Sequence, residues 1–467
     1  MVEYTRRSFL QTGTALAAGS TLISAKQANA KSNAIQEDGR EVPITGKADV
    51  IVCGGGPAGI AAALAAARTG ADVQIIESQG SLGGIWTVGL LCWILDTRDK
   101  YGIMQEIIKK VTARDAGYVH PIRQSVLAYD PEIMKLMLEE MCLAEGIRLR
   151  YHTLIADAVK DDNNQLTHVI TESKSGREAW TAKVFIDTTG DGDVAARAGC
   201  GFDLGRAGDG KMQPMSMFAL LTGLDPQDTK EFYLANDSSP SSHKKRLFDE
   251  MQKAGVTPSY TKPTLFLIRD DLYVLATNHE YGFSAINADD ITQATLNARA
   301  EIHKIVNALK SQKGRWEHMR IVATNEHIGV REGRRIHGLY TVTKDDLQKG
   351  ARFDDAVARV YFGVDVHALS KSKDHGSGGI MNTGASRKPY DIPLRSLIAK
   401  DVNGLLMAGR NISGDFIAHS SYRVTGVSVQ LGQAAGVLAA VAAQKNQQPH
   451  TVGWKEVEPA LNQFKTG

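Results

Sequence analysis

Between Ala48 and Glu77 the chain reads as an apolar strand, a glycine turn, an alanine-rich helix and a second strand that ends in an acid. Asp49-Val50-Ile51-Val52-Cys53 has the unbroken apolar character of a strand buried on both faces, and Gly54-Gly55-Gly56-Pro57-Ala58-Gly59 follows it as G-x-G-x-x-G. Each glycine in that spacing has a mechanical role. Gly54 permits the tight turn, Gly56 lets the backbone approach a pyrophosphate, and Gly59 lets the helix lie close on the sheet. Ile60 to Arg68 is almost all Ala and Leu, Gly70 ends it, and Val73 to Ile76 is the second strand. Glu77 stands where a βαβ unit places the carboxylate that accepts ribose hydroxyls. With 45 glycines in 467 residues the motif alone has little weight. Its position between strand and helix makes it a dinucleotide turn.

Net charge is +2, and no basic cluster with interleaved aromatics is present, so no nucleic-acid partner is expected. The hydrophobic fraction of 43% is that of globular proteins, and no stable membrane span is expected after processing. Thr5-Arg6-Arg7-Ser8-Phe9-Leu10-Gln11 resembles the twin-arginine export consensus. A short apolar stretch from Leu16 to Ile23 and a small-residue cleavage site at Ala28-Asn29-Ala30 follow. The expectation is a signal peptide over residues 1–30, recognised by the twin-arginine machinery, and a periplasmic or otherwise exported mature chain that acquires its cofactor before it leaves. Cys53, Cys92, Cys142 and Cys200 have no metal-ligand spacing and nominate no disulfide; no metal is expected.

Residues 31–47 read as a loose leader. A second glycine loop, Gly80-Ser81-Leu82-Gly83-Gly84, follows Glu77, and helical patterns recur at Ile103 to Val111 and Pro131 to Ala144, the latter behind an N-cap Asp130. Leu154 to Lys183 reads as three short antiparallel segments, and Val184 to Asp187 as a return to a buried strand ending at Thr188-Thr189-Gly190-Asp191. Asn236 to His243 reads as an exposed loop, Thr264 to Ile268 and Leu272 to Ala276 as strands, and Asp290 to Lys310 as a long helix with Asp289 near its cap. Gly404 to Arg410 is a further buried strand running into a glycine. A helix opens at Thr425-Gly426, and Trp454 onward reads as a short polar tail.

Taken in order, these segments resemble the FAD-dependent oxidoreductases whose cofactor domain is similar to those of glutathione reductase and fumarate reductase flavoproteins. The resemblance rests on the turn at Gly54 to Gly59, the Leu82-Gly83-Gly84 doublet, Ile186 to Asp193, Gly329 to Gly338, Gly363 to His367, Ile392 to Leu397 and Leu405 through Gly436. It implies an α/β fold, with a Rossmann-like FAD-binding domain that combines a parallel sheet and an antiparallel meander, and an inserted mixed α+β substrate domain. The FAD domain is expected over residues 48–200 and 385–447, the substrate or cap domain over 201–384, and a tail over 448–467.

The resemblance implies FAD contacts at Gly54, Gly56, Pro57, Ala58, Gly59, Glu77, Gly83, Gly84, Thr189, Gly190, Asp191, Gly409, Arg410, Thr425 and Gly426. The helix opening at Thr425 would aim unpaired amides at the flavin N1 and C2 carbonyl. Many relatives carry an acid directly after the glycine of the C-terminal strand, where this chain has Arg410. Either Asp415 or backbone near Gly409 then holds the ribityl chain. No His or Cys stands at the Gly83-Gly84 doublet, so noncovalent FAD is expected.

Oxidation or reduction of a small polar organic substrate needs an acid or base beside the flavin. His419 is the first candidate, as base or as a structural hydrogen-bonding group, with Tyr422 and Arg423 to orient the substrate. Arg331, Arg334 and Arg335 either clamp a carboxylate or phosphate or form an ion-paired face. Asp365 and His367, two apart on an extended segment, share a face and form a second possible acid/base pair. His375 sits in a composition suited to a lid. The electron acceptor stays open, as do two other readings: an NAD-dependent dehydrogenase, and a flavin-containing binding or maturation protein without turnover.

Overall fold

The computed structural model describes residues 39, 41–119, 126–233, 242–370, 383–384 and 388–465. Its contacts separate residues 1–41 from a compact unit, Val42–Gly467, that holds every element below. The expected export signal around Arg6 and Arg7, the expected cleavage site at Ala30, and His375 lie outside the described residues.

Strand β1 (Ile44–Cys53) runs into helix α1 (Pro57–Arg68) and strand β2 (Val73–Ile76), as the opening motif requires. Val50, Ile51, Val52 and Cys53 have no exposed surface, which is why the strand carries no alternation. Strand β3 (Arg148–Arg150) adds to β2 in parallel. Strands β4 (Leu154–Lys160), β5 (Leu166–Ser173) and β6 (Gly176–Asp187) form the antiparallel meander. The sheet order is β3-β2-β1-β6-β5-β4.

The third meander segment and the buried return strand, read separately in the sequence, are one strand. β6 is 12 residues long, and its two halves differ in partners. Its first half pairs antiparallel with β5, whereas residues 185–187 pair in parallel with a strand from the far end of the chain. The cofactor sheet and its meander are thus joined by continuous backbone.

A second sheet is built from β7 (Phe218–Thr222), β8 (Thr264–Arg269), β9 (Leu272–Ala276) and, after helix α2 (Ala288–Ser311), β10 (Arg320–Thr324). All its pairings are antiparallel, in the order β8-β9-β7-β10. Side chains alternate across it. Ala219, Leu221, Tyr273 and Leu275 face a core of their own with α2, while Phe218, Leu220, Val274 and Ala276 join the larger core of the first sheet. The α2 cap is Asn287, whose side chain accepts from the Asp290 amide, so the helix starts slightly before the sequence reading.

Strand β11 (Leu405–Met407) returns to β6; helices α3 (Phe416–Tyr422) and α4 (Thr425–Lys445) follow. By length and composition α4 is apolar enough to cross a membrane, but Gly426 to Ala443 are all buried, as in a core helix. Cβ atoms added at Gly432 and Gly436 would strike the Ala58 and Ala62 carbonyls, so these glycines bring α4 against α1 rather than against the sheet. Two expectations change. Trp454–Gln463 is helix α5, lying against α4, instead of a polar tail, and Ser242 and His243 open a helix, Ser242–Lys253, instead of ending a loop. The α/β fold, a parallel sheet with an antiparallel meander, stands as read.

Candidate cofactor cleft and substrate chamber

Register brings the dispersed glycine motifs together. Cys53 pairs with Ile76 and with Asp187, and Asp187 pairs with Met407, so four parallel strands end at one level. The loops that leave them are Gly54 onward, Glu77, Thr188 to Asp191, and Ala408 to Arg410. In open α/β sheets, ligands bind at such a carboxyl edge.

The three glycines of the first turn differ in what surrounds them. A Cβ on Gly59 would collide with the Gly54 carbonyl, and one on Gly54, at φ +106°, would stand 2.5 Å from the Thr188 carbonyl oxygen. At Gly56 a Cβ would meet nothing within 4 Å. Gly54 and Gly59 therefore serve packing, while Gly56 leaves a cradle open. Gly56 caps α1 with no side chain, Pro57 takes the first helical position, and the first turn carries no acid, so its amides are left for an anion. Gly84, at φ +51°, would place a Cβ 3.1 Å from Gly56 Cα, which sets the second glycine loop against the first, and a Cβ on Gly83 would meet Thr87. Glu77, buried at the end of β2, accepts from the Gly55 amide at 2.5 Å and from the Gln79 amide at 2.8 Å. It holds the turn and keeps acceptor capacity to spare.

Asp187 organises the third loop. Its carboxylate accepts from the Thr189 amide (3.1 Å), the Thr189 hydroxyl (2.7 Å) and the Ala195 amide (2.9 Å). Burial pushes its carboxyl up to about 6, against those hydrogen bonds. Gly190 has φ +88°, and the Arg410 guanidinium occupies the space a side chain there would fill. Arg410 Nη2 donates to Asp191 Oδ2 at 2.8 Å. The opposite Asp191 oxygen, Arg410 Nε and Asn411 Oδ1 are buried without partners among the described residues. Orphaned polar atoms beside an open glycine cradle are what a dinucleotide with hydroxyls and phosphates would satisfy, so the residues fit FAD. His327 also belongs here, recessed yet accessible. Partial loss of hydration lowers its pKa, Asp191 and Glu77 oppose that, and Arg410 adds to it.

Asp415 is occupied elsewhere. One of its oxygens accepts from the Ala418 amide as the cap of α3, and the other from the Lys344 amide, both at 2.7 Å. Of the two ribityl options, the orphaned polar groups lie with Asp191 and Arg410 next to Gly409. A Cβ on Gly426 would stand 2.5 Å from the Leu95 and Asp96 carbonyl oxygens, so that glycine lets α4 start close to this backbone, while the helix opens with no side-chain cap.

Residues 327–331 lead from this cleft to a second cluster. Gly329 lies beside Ile85 of the second glycine loop, and Arg331 enters a polar side-chain cluster shared with Arg423, two residues before α4. Arg423 donates to the Arg331 carbonyl (3.2 Å), the Asp365 carbonyl (2.7 Å) and Gln213 Oε1 (3.2 Å). Arg331 donates from Nη1 to the Pro214 carbonyl and Ser216 Oγ, both at 2.7 Å, and from Nη2 to His279 Nε2 at 3.2 Å. His279 therefore has its proton on Nδ1, directed at the Tyr281 hydroxyl 3.1 Å away. Tyr260 lies over His279 with centroids 4.2 Å apart, and His367 meets the same ring edge-on at 4.8 Å.

Asp365 and His367 do come together. His367 Nε2 is 3.1 Å from Asp365 Oδ2. Burial, then Arg331, pulls the imidazole down to about 4 although Asp365 opposes both; burial raises the Asp365 carboxyl, but His367, Arg423 and Arg331 outweigh it and hold it well below the usual range. His367 is thus a neutral ring donating from Nε2, with a bare Nδ1 lone pair that is buried and has no described partner.

The other catalytic candidates are placed differently. His419 has no exposed surface, and neither ring nitrogen is in hydrogen-bonding geometry with a described residue. Burial, then Arg423, lowers its pKa well below the ordinary value, and the Arg410 carbonyl nearby offsets this only in part. It packs edge-on against Tyr422 inside the core. Tyr422 is fully buried and donates to the Ile412 carbonyl at 3.1 Å. Within the arginine run, Arg334 binds the Asp191 carbonyl and Asp193, and Arg335 pairs with buried Glu332 at 2.6 Å. Only Arg331 reaches the polar cluster. The sequence reading missed His279, Tyr260, Tyr281 and Gln213; the signal for the first was the polar run Thr277-Asn278-His279-Glu280 directly after a buried strand.

The sequence profile of the FAD dependent oxidoreductase family matches residues 49–461. No curated protein matches the sequence. Among solved structures, a geranylgeranyl bacteriochlorophyll reductase-like protein from Thermoplasma acidophilum is similar at 12% identity, with 90% of this chain and 83% of that one covered and a TM-score of 0.44. The p-nitrophenol 4-monooxygenase of Pseudomonas putida is also similar at 12% identity, covering 91% and 90%, with a TM-score of 0.44. A myxobacterial chondrochloren halogenase has 12% identity, coverage of 89% and 78%, and a TM-score of 0.45. Likenesses this distant do not bear on the reaction. The family match sets aside the NAD-dependent and noncatalytic readings: the chain belongs to the FAD-dependent oxidoreductase family, with FAD as its cofactor.

Proposed function

We propose that this FAD-dependent oxidoreductase oxidises or reduces a small polar organic substrate in the chamber of Arg331, Arg423, His279 and His367, with noncovalently held FAD in the adjoining cleft. The observation that carries the reading is the 327–331 segment, which has His327 among Asp191, Arg410 and Glu77 at one end and Arg331 in the chamber at the other. FAD supplies the two-electron chemistry when bound. The chain's own groups bind, orient and move a proton. Asp365 fixes the tautomer of His367, and His367 Nδ1 takes a proton from the substrate in oxidation, or its protonated form returns one in reduction. Arg331 and Arg423 orient the substrate, while the Tyr260 ring and the second core shield it from water. In this reading residues 48–200 and 385–447 hold FAD, and 201–384 form the substrate domain.

Export by the twin-arginine route, with residues 1–30 as the signal, completes the proposal. It rests on Arg6-Arg7, the apolar run and the Ala28-Asn29-Ala30 site, and on the logic that a folded, FAD-loaded chain suits that route. Two experiments test these parts. Acid precipitation of the yellow protein should release all flavin into the supernatant; flavin retained in the pellet would contradict noncovalent binding. Replacing Arg6 and Arg7 by lysine should leave the protein in the cytoplasm, and unchanged export would remove the signal reading.

A further inference from the structure

Arg331 is half-buried, and its guanidinium forms no ion pair among the described residues. Its three hydrogen bonds go to neutral acceptors, the Pro214 carbonyl, Ser216 Oγ and His279 Nε2. These use both Nη1 hydrogens and one on Nη2. The Nε hydrogen and the second Nη2 hydrogen have no described acceptor, and Nε and Nη2 share the edge on which a guanidinium grips a carboxylate in a bidentate way.

The charge balance points the same way. The chamber holds two guanidinium cations, Arg331 and Arg423, against one carboxylate, Asp365, which lies 3.4 Å from Arg423 Nη2. Glu332 is engaged by Arg335. Glu301 accepts from Ser259 and Asn278, and Glu280 accepts from Asn278. Both imidazoles are held neutral by burial and the arginines. Among the described residues one positive charge is left over, at a half-buried guanidinium that an anion would compensate. Next to it, Gln213 Nε2 and His367 Nδ1 are buried and without partners among the described residues, a donor and an acceptor.

We propose that the chamber takes a substrate carrying one carboxylate, which docks on the Nε/Nη2 edge of Arg331 beside Arg423 and presents its neighbouring polar group to Gln213 and His367. This rests on the reading of the chamber as the substrate site. A neutral alcohol or amine would leave the guanidinium uncompensated, and a second carboxylate on the same molecule would exceed the one free charge.

The test is calorimetric binding to the FAD-loaded protein, with lactate, pyruvate and benzoate as probes against lactamide and propane-1,2-diol. At least one carboxylate should bind about ten-fold or more tightly than its neutral counterpart, as expected for charge-assisted hydrogen bonds. Arg331→Gln should abolish that preference, and Arg331→Lys, which keeps the charge but not the fork, should retain part of it. If Arg331→Gln fails to fold, the wild-type preference and the lysine variant still decide. Equal binding of acids and neutral analogues by the wild type would overturn the inference, as would a preference that Arg331→Lys leaves untouched. Flavin bleaching by a neutral probe, with no carboxylate bound, would overturn it too while leaving the redox reading intact. Arg331-dependent carboxylate binding with no flavin response to any probe would support the docking site and count against the redox reading.

Discussion

His367 donates from Nε2 to Asp365 Oδ2 across 3.1 Å, so the carboxylate chooses the tautomer and leaves Nδ1 as the bare nitrogen. An acid-base role makes two demands on this pair. His367→Gln should slow flavin reduction by the substrate by about 10²–10⁴-fold with the flavin spectrum unchanged. His419→Leu, which removes buried nitrogens without described partners, should leave that rate close to wild type. Anaerobic stopped-flow absorbance compares the two.

Because the folded pKa of His367 is about 4, its base form is present across the neutral range, and the rate should fall as pH drops through about 4. Asp365 raises that pKa, so Asp365→Asn should shift the acid limb to lower pH while reducing the plateau, since the tautomer is no longer held. A limb that moves to higher pH would reverse the assigned sign.

Gly56 and Gly59 should respond in opposite ways. Gly56→Ala adds a methyl group to open space, so the apoprotein should keep its melting temperature and lose affinity for FAD. Gly59→Ala drives a methyl group into the Gly54 carbonyl and should cost about 1–3 kcal/mol of stability. Thermal melts of the apoproteins, with FAD titrated by fluorescence, separate the roles.

Asp191 and Asp415 can be sorted by the same pair of readouts. Asp415→Ala removes a helix cap and should cost about 0.5–2 kcal/mol without changing flavin content. Asp191→Ala should lower the flavin retained through purification. The reverse pattern would return Asp415 to the cofactor.

Asp187 gives a pH signature of stability. Its folded pKa, raised to about 6, exceeds the ordinary 3.8, so the folded state binds the proton more tightly. The stabilisation this gives is full below 3.8 and is lost as pH rises through about 6. Urea midpoints across that window should show a falling contribution from this group that Asp187→Asn lacks.

The cofactor half of the molecule was legible because its signals are local. Gly54, Gly56 and Gly59 carry their roles in their spacing, and Cys53 to Glu77 is a single unit of chain. The chamber was legible only in part. Asp365 and His367 are two apart and shared a face as extended residues do, but His279 and Arg331 come from distant segments that the bridges to Met215 and Ser216 bring together. Arg331, Arg334 and Arg335 look alike in sequence; which of them faces the chamber is decided by Glu332 and Asp193, which engage the other two. His419 stands before α4 as a catalytic candidate should, but its burial on α3 could not be read from that position. The length of β6 was hidden for a similar reason, since a strand that changes partners midway leaves no break in its own sequence.

The most direct test of the chamber as the reaction site is anaerobic mixing of FAD-loaded wild type and His367→Gln with a panel of small carboxylic acids, alcohols and amines, following the visible flavin absorbance. Dithionite-reduced protein covers the opposite direction. The account predicts that some panel member changes the flavin's redox state in the wild type and does so at least about 10²-fold more slowly in His367→Gln. Equal rates in the two proteins would contradict it.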